Sequence, residues 1–321
     1  MEKNLYIDAS HPDETRVVLK ENGNIEDYEY ETVKNNLIKN NIYLGKVSRV
    51  EPSLQAAFID FGRERHGFLS FNDIQSDYYQ IPSSDLDIIK KEEENLRLEL
   101  AKKSEEDDIS IKENELSTSE NNENNKEKIE TENQKINYKN NKPKIPSNRY
   151  KIQEVIKPNQ VILVQVLKDE RGLKGAALTT FISIAGKYIV LMPNTPKGGG
   201  ISRKIFNFGE RRKIRSILNE IKIPKEMGLI VRTAGSNKTK NDIDYDLSSL
   251  IDSWNKIKEN AINSIAPSLV HQESDIIKRT LRDIYDDETK NIIIQGNEGY
   301  QKAKNFMKIL MPKSVRKVKK Y

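Results

Sequence analysis

Two phenylalanines lie among basic residues in one stretch of the sequence, and this composition suits the binding of single-stranded nucleic acid. Phe58 and Phe68 stand within residues 41–74. Four cations accompany them: Lys46, Arg49, Arg63 and Arg65. Aromatic rings stack on bases while cations follow the phosphate backbone. The alternative is that both rings belong to a protein core, as is common for phenylalanine in a strand.

A second candidate site combines a guanidinium group with a hydroxyl group. Arg232 and Thr233 close the apolar run 228–231, and arginine at a strand end can grip a terminal phosphate through two parallel hydrogen bonds. The alternative is an ion pair between Arg232 and a nearby carboxylate. The segment 198–204, Gly-Gly-Gly-Ile-Ser-Arg-Lys, does not have the spacing of a nucleotide-binding loop. It offers backbone amides and two cations to an RNA phosphate, or it is a flexible surface loop.

The remaining reactive side chains form no recognisable active site. The three histidines, His11, His66 and His271, are far apart and lack metal-ligand spacing. The chain has no cysteine, which excludes disulfides, thiolate metal sites and a cysteine nucleophile. Asp8 and Asp60 are the strand-embedded carboxylates, and structural hydrogen bonding is the better interpretation of both. We therefore assign no catalytic residue and no metal ligand.

The charge distribution points to a polyanionic partner. The net charge is +5, but residues 85–140 hold 17 acidic and 10 basic side chains, so the rest of the chain carries a net charge of +12. Such a surface suits RNA or another polyanion, although it can also serve solubility alone. The N-terminus has no signal-peptide pattern, and no apolar run reaches the roughly 18 residues of a membrane span. These features predict a cytoplasmic protein.

The pattern of apolar residues predicts a β-rich first half and a mixed second half. Strands are expected at 4–8, at 15–20 and in a polar segment ending near Tyr30. Residues 41–74 predict three strands of a small barrel, which 160–168 and 176–181 complete. Residues 83–147, rich in Glu, Lys, Asn and Ser, predict a mostly disordered insertion, with a transient helix over 88–103. The later elements expected are strands at 187–192, 228–233 and 292–294 and helices at 210–222, 247–257, 275–285 and 298–310.

Several motifs together resemble the ribonuclease E/G family. The resemblance rests on Tyr-Leu-Gly-Lys-Val from residue 43, Glu-Pro-Ser-Leu-Gln-Ala-Ala-Phe-Ile-Asp-Phe-Gly from 51, and Arg-His-Gly-Phe-Leu from 65. It continues with Lys-Asp-Glu-Arg-Gly-Leu-Lys-Gly from 168, Leu-Met-Pro-Asn from 191, Gly-Gly-Ile-Ser-Arg-Lys-Ile from 199, Gly-Leu-Ile-Val-Arg-Thr-Ala-Gly from 228 and His-Gln-Glu-Ser from 271. The order and spacing match throughout, apart from the insertion.

The resemblance implies an α+β multidomain fold, in which an S1-type OB barrel and a 5′-sensor subdomain are inserted into an RNase H-like subdomain. The implied boundaries are 1–40 for the first RNase H-like part, 41–181 for the barrel with its insertion at 83–147, 182–277 for the sensor and 278–321 for the second RNase H-like part.

The resemblance also implies roles for individual residues. Phe58, Phe68 and Lys174 match RNA-contacting positions of the barrel. Arg232 and Thr233 match the pair that grips a 5′-monophosphate, in a pocket that Gly186 and Val190 line. The family's catalytic aspartates bind Mg²⁺, and a cysteine motif binds a bridging Zn²⁺. Both are expected beyond Tyr321, so cleavage and family-type homo-oligomerisation by residues 1–321 are not expected.

The function implied is that of the RNA-binding and 5′-monophosphate-sensing part of a Mg²⁺-dependent, single-strand-specific endoribonuclease. Such enzymes act in the maturation of rRNA and tRNA and in mRNA turnover. The alternative is a stand-alone, non-catalytic RNA-binding adaptor, which the basic C-terminal segment 313–321 suggests.

Overall fold

The computed structural model describes residues 2–32, 38–92, 95, 150–170, 174–195, 200–221, 223–224, 226–273, 275–286 and 288–321. Within these ranges the chain forms three β-sheets, each with at least one helix packed against it. The strands are β1 Lys3–Asp8, β2 Glu14–Glu21, β3 Asn24–Thr32, β4 Ile42–Glu51, β5 Ala56–Asp60, β6 Gly67–Ser70, β7 Val161–Lys168, β8 Ala177–Thr179, β9 Ile184–Ala185, β10 Ile189–Met192, β11 Gly200–Ile201, β12 Gly228–Val231, β13 Ser268–His271, β14 Thr289–Gln295 and β15 Val318–Lys320. The α-helices are α1 (residues 83–92), α2 Ile152–Val155, α3 Phe208–Glu220, α4 Lys240–Asn263, α5 Ile276–Asp283 and α6 Asn297–Leu310. Short 3₁₀ segments span Pro52–Leu54, Phe71–Asp73, Ser76–Tyr78, Thr233–Gly235 and Pro312–Lys317.

The first sheet is a closed barrel of five strands. The strands follow in the order β4, β5, β6, β8 and β7, and β7 pairs again with β4 to close the ring. Side chains alternate along each strand, so Ala57 and Ile59 of β5 and Leu69 of β6 point inward and are fully buried. They pack in one core with residues of β4, β7 and α2. β13 adds to the outer side of β4.

The second sheet has four strands in the order β11, β12, β10 and β9. Its apolar face carries Ile189, Leu191, Leu229 and Val231, which pack against α3 and α4. β11 runs parallel to β12, whereas β10 is antiparallel to it. The ends of β11 and β12 and the start of β10 therefore lie at the same edge of the sheet.

The third sheet has five strands in the order β15, β14, β1, β2 and β3. β1 and β14 pair in parallel although they come from opposite ends of the sequence. Leu5, Ile7, Ile292 and Ile294 line the face that α5 and α6 cover. The chain therefore starts this sheet, leaves it for the other two sheets and returns to complete it.

Most of the long predicted elements are confirmed, and the differences have local causes. The four predicted helices after residue 200 are present, and α4 is longer than expected because a capping box of Thr239 and Asp242 starts it early. The predicted strand at 187–192 begins only at Ile189, since the preceding amides bond to a carboxylate instead of a neighbouring strand. The sequence pattern does not predict the two- to four-residue strands β9, β11, β13 and β15.

The prediction that a disordered insertion begins at residue 83 is wrong for its first residues. Residues 83–92 are helical, Ile89 is buried, and Tyr150 donates a hydrogen bond to Asp85. The burial of Ile89 and the hydrogen bond from Tyr150, which follows the predicted insertion in the sequence, together stabilise this helix. The rest of the predicted insertion, 93–147 apart from residue 95, lies outside the described residues. The closed barrel is consistent with the predicted OB-type fold, while the 5′-sensor and RNase H-like assignments stay predictions.

Candidate nucleic-acid interface

An arginine and two phenylalanines form a row across the outer face of the barrel. Arg49 on β4 is in register with Phe58 on β5, which is in register with Phe68 on β6. Because the neighbours of Phe58 along β5 point inward, its ring points outward. Phe58 is half-buried and Phe68 is 37% exposed. The structure therefore places both rings on the surface of the barrel and not in its core.

The members of this row contact one another. The two phenylalanine rings meet edge to face, with their centroids 6.0 Å apart and an angle of 76° between their planes. The Arg49 guanidinium carbon lies 4.4 Å from the centroid of the Phe58 ring. This cation–π contact holds a positive charge beside exposed aromatic surface. The arrangement can stack bases and neutralise a phosphate at the same place.

Lys174 lies next to this row. It is exposed, and it precedes Gly175, which passes so close to the barrel wall that an added Cβ would lie 2.1 Å from the carbonyl oxygen of His66. The amide of Phe68 donates to the carbonyl of Ala176 at 2.8 Å. Glycine at 175 is what permits this approach, and the approach brings Lys174 beside the segment that carries Phe68. Three further cations, Lys46, Arg63 and Arg65, are also exposed.

A second group of predicted site residues lies at one edge of the four-stranded sheet. Arg232 follows β12, and its amide donates to the carbonyl of Tyr188 at 2.8 Å. Its Nη1 donates to the carbonyl of Gly186 at 2.7 Å and lies 2.7 Å from Oδ1 of Asp283 on α5. Among the described residues, Nε and Nη2 of Arg232 have no hydrogen-bond partner. The guanidinium is thus fixed through Nη1, while its Nε–Nη2 edge carries no bond to a described residue.

Asp283 belongs to a chain of charges that joins two sheets. Arg282 binds both carboxylate oxygens of Asp283, and its Nη1 also donates to Glu273 at 2.6 Å. Burial raises the pKa of the Asp283 carboxyl, but the hydrogen bonds and charges of Arg282 and Arg232 outweigh burial and hold that pKa below its ordinary value. Asp283 is therefore ionised at neutral pH. The sequence left open whether Arg232 grips a phosphate or pairs with a nearby carboxylate, and the structure contains the ion pair with Asp283.

Gly186 and a buried aspartate shape the turn that faces Arg232. Asp246 on α4 is 6% exposed and accepts from the amides of Lys187, Tyr188 and Ile189 at 3.3, 2.8 and 3.2 Å. Burial raises the pKa of Asp246, and the three amide donors offset this only in part. The carboxylate holds three consecutive amides in place and thereby fixes the turn whose Gly186 carbonyl receives Arg232.

Gly186→Ala is expected to destabilise the four-stranded sheet by about 1–3 kcal/mol, the usual cost of forcing an extra methyl group into a packed site. The new Cβ would lie 2.6 Å from Oδ2 of Asp246, so the carboxylate must move away from the amides that it binds. Denaturant unfolding measures the effect. Gly200→Ala in the same sheet is the matched control, because its Cβ meets no described heavy atom within 4 Å. Equal unfolding midpoints for the two variants would contradict this account.

The other two predicted residues of the pocket are nearby but make fewer contacts. Thr233 follows Arg232 directly, is exposed, and starts the 3₁₀ turn Thr233–Gly235. Val190 lies on β10 in register with Ile230 and Ala185, on the face opposite the apolar core. The structure thus brings Gly186 and Arg232 into direct contact, while Thr233 adjoins Arg232 along the chain and Val190 lies on the neighbouring strand β10.

Comparison with known proteins supplies the family. The sequence profile described as Ribonuclease E/G family matches residues 183–321. The chain is 35% identical over 319 residues to ribonuclease E of Haemophilus influenzae, covering 99% of this chain and 28% of that protein. It is 34% identical over 320 residues to ribonuclease E of Escherichia coli, covering 99% of this chain and 24% of that protein. Ribonuclease E of a Nostoc species is 37% identical over 156 residues, which is 49% of this chain and 22% of that protein.

The chain belongs to the ribonuclease E/G family. It spans about a quarter of the length of the ribonucleases E from H. influenzae and E. coli. The match covers the barrel, the four-stranded sheet and the five-stranded sheet, so both groups of site residues fall within it.

The described part of this ribonuclease E/G family member offers no metal centre. Across the described ranges, no three side chains of the His, Cys, Asp and Glu type come close enough together to hold a metal ion. With no cysteine in the sequence, the thiolate zinc site that the family implies cannot be built from these residues either. In the part of the chain that the structure describes, no helix is both long and apolar enough to cross a membrane.

Sequence reasoning missed two residues of this family member's candidate site. Asp246 had a recognisable signal, because it is a charged residue on the apolar stripe of α4 that Ile243, Leu247 and Leu250 form. A carboxylate on such a stripe must find donors when it is buried. Asp283 had no comparable signal, since it adjoins Arg282 on a helix and meets Arg232 only through the packing of two sheets.

Proposed function

We propose that this chain is the RNA-binding and 5′-monophosphate-sensing part of a single-strand-specific endoribonuclease of RNA processing and decay. The observation that carries the proposal is the contacting row of Arg49, Phe58 and Phe68 on the outer face of the barrel. Exposed rings in contact with a cation bind single-stranded RNA with little dependence on sequence, because every base has a face that can stack.

The edge of the four-stranded sheet supplies the 5′-end recognition. Arg232 is oriented through Nη1 by Gly186 and Asp283, which leaves Nε and Nη2 as a parallel pair of donors. Such a pair matches two oxygens of a phosphate. Thr233, exposed beside it, adds a hydroxyl donor. A 5′-hydroxyl end offers neither the charge nor the oxygens, so the site distinguishes the two kinds of RNA end.

The three sheets correspond, in this proposal, to the three subdomains that the family implies. The barrel is the S1-type RNA-binding domain, the four-stranded sheet with α3 and α4 is the 5′ sensor, and the five-stranded sheet with α5 and α6 is the RNase H-like subdomain. The parallel pairing of β1 with β14 supports the last assignment, since it unites the two ends of the chain in one sheet.

The proposal includes no cleavage step by the described residues. Hydrolysis that depends on Mg²⁺ needs carboxylates that converge on the ion, and we assign that role to none of the described residues, among which no three or more His, Cys, Asp or Glu side chains cluster. Their contribution to an endoribonuclease is to hold single-stranded RNA and to recognise its 5′ end. We include cleavage of RNA in the proposed function of the whole enzyme only because the chain belongs to the ribonuclease E/G family.

One titration tests both parts of the proposal. Fluorescence anisotropy with a single-stranded RNA should show tighter binding when its 5′ end carries a monophosphate than when it carries a hydroxyl. The affinity of both RNAs should fall with salt, with a log–log slope of about −3.5 if the exposed cations of the barrel neutralise about five phosphates of a single strand. Equal affinity for the two ends would refute the sensor, and affinity that is insensitive to salt would refute the phosphate-tracking surface.

A further inference from the structure

A strongly exposed phenylalanine stands at the same sheet edge as Arg232. The side chain of Phe206 is 78% exposed. A single exposed apolar side chain is ordinary on a protein surface, so its exposure alone proves nothing. The position, the rigidity and the charge of its surroundings are what make it informative.

The position follows from the pairing of two parallel strands. β11 and β12 are parallel, with Ile201 opposite Val231. The amide of Ser202, the first residue after β11, donates to the carbonyl of Val231 at 2.9 Å. The turn after β11 therefore lies directly beside Arg232, the first residue after β12. The amide of Arg232 donates to Tyr188 at the start of β10, so the turn that carries Phe206 and the turn at Gly186 lie on opposite sides of the backbone at Arg232.

The turn that carries Phe206 is fixed to the body of the protein. Ile205 is buried in the core of the four-stranded sheet, and its amide donates to the carbonyl of Ser202 at 3.1 Å. Arg211 donates from Nη1 to the carbonyls of Ser202 and Ile205 at 3.3 and 3.2 Å. Asn207 then caps α3 by accepting from the amide of Glu210. Because the backbone on both sides of Phe206 is anchored, stacking of the ring has to order only its side-chain torsions, which favours binding.

The charge around the ring suits RNA. The segment 203–215 contains six basic residues and one acidic residue. Arg203 and Lys204, on the turn itself, are exposed, as are Arg212 and Lys213 on α3. An exposed aromatic ring among cations is the same combination as in the barrel row, where stacking and phosphate neutralisation can occur together. A protein partner for this surface would have to be acidic.

We infer that Phe206 is a stacking platform for a nucleobase at the 5′ end of single-stranded RNA, next to the phosphate that Arg232 binds. This inference rests on the proposed 5′-phosphate site. Arg203 and Lys204 neutralise the phosphates that link the first nucleotides. The site thus reads an RNA end through two contacts, a phosphate on the guanidinium and a base on the ring.

The test compares an intact 5′-monophosphorylated RNA with the same RNA lacking the bases of its first nucleotides. Phe206→Ala should weaken binding of the intact RNA about tenfold, as expected for the loss of one base–aromatic stack. It should leave the abasic RNA unaffected, since that RNA has no base to stack. Phe206→Trp should retain the affinity for intact RNA. Ile265→Ala, which removes another highly exposed side chain, is the control for loss of apolar surface.

The outcomes separate this inference from the proposed function. If the wild-type chain does not prefer a 5′-monophosphate, the phosphate site fails and the neighbouring stack fails with it. If the preference is present but Phe206→Ala binds intact RNA like the wild type, only the stack is overturned, and the ring is left as a contact for a protein. An equal loss with intact and abasic RNA would also overturn the inference, because it would not depend on a base.

Discussion

Arg232→Ala should abolish the preference for 5′-monophosphorylated RNA over 5′-hydroxyl RNA. Hydrogen bonds that involve charged groups contribute about 1.5–3 kcal/mol each. Removing a guanidinium that makes two such bonds, together about 3–6 kcal/mol, should therefore weaken binding of the monophosphorylated RNA by about 100-fold or more. The affinity for 5′-hydroxyl RNA should not change, because the barrel row, to which we assign binding of the strand, is untouched. Anisotropy titration of both RNAs with both proteins measures the two effects directly.

The variant should fold, because the partner of Arg232 keeps another cation. Asp283 remains bound through both oxygens to Arg282 after the substitution, so no unpaired charge is left in a partly buried place. The pKa of Asp283 lies below its ordinary value, so its ion pairs stabilise the fold above the pKa of the unfolded carboxyl and are lost as the pH falls through the folded pKa. Titrations at neutral pH avoid that range.

Two further variants make the result specific. Arg232→Lys keeps the charge but not the fork, so it should restore only part of the preference. Arg16→Ala removes an exposed guanidinium from the five-stranded sheet. It should change the affinity for the two RNAs by the same factor or not at all, so the preference for the 5′-monophosphate should persist. If Arg232→Ala lowered the affinity for both RNA ends equally, the residue would be a general phosphate contact and the sensing role would be refuted.

The barrel site could be predicted from the sequence because its residues are close together along the chain. Phe58 and Phe68 lie on neighbouring strands joined by a short turn, and the buried neighbours Ala57 and Ile59 fix the direction of the first ring. The residues alone left a core position open, and the resemblance to the family changed that expectation. The outward orientation follows from alternation once the strand is recognised.

The candidate phosphate site around Arg232 was only half predictable for the opposite reason. Arg232 and Thr233 stand in a local motif, but the groups that orient the guanidinium come from Gly186 on a turn and Asp283 on a helix of another sheet. No periodicity relates these positions, because their contact arises from tertiary packing. The short strands β11 and β13 were missed in the same way, since a strand of two to four residues is defined by its partner more than by its composition.

Phe58→Ala and Phe68→Ala should each weaken the binding of single-stranded RNA about tenfold, whatever the chemistry of its 5′ end. The expectation follows from about 1–3 kcal/mol per base–aromatic stack. Because the two rings touch, the effects should not be additive, and the double variant should lose less than the product of the single losses. Phe58→Ala also removes the surface over which Arg49 lies, so the salt dependence of binding should change more for this variant than for Phe68→Ala.

The choice of replacement distinguishes stacking from simple apolar contact. Phe68→Trp should retain affinity because its ring stacks, whereas Phe68→Leu should bind as weakly as Phe68→Ala although it keeps apolar surface. Both should remain folded, since Phe68 is 37% exposed, unlike its inward neighbour Leu69, which is fully buried. Ile25→Ala, at an exposed site on the five-stranded sheet, should leave RNA binding unchanged. Equal affinity of the Leu and Trp variants would show that the ring contributes area and not stacking, and the barrel row would then lose its role as a base platform.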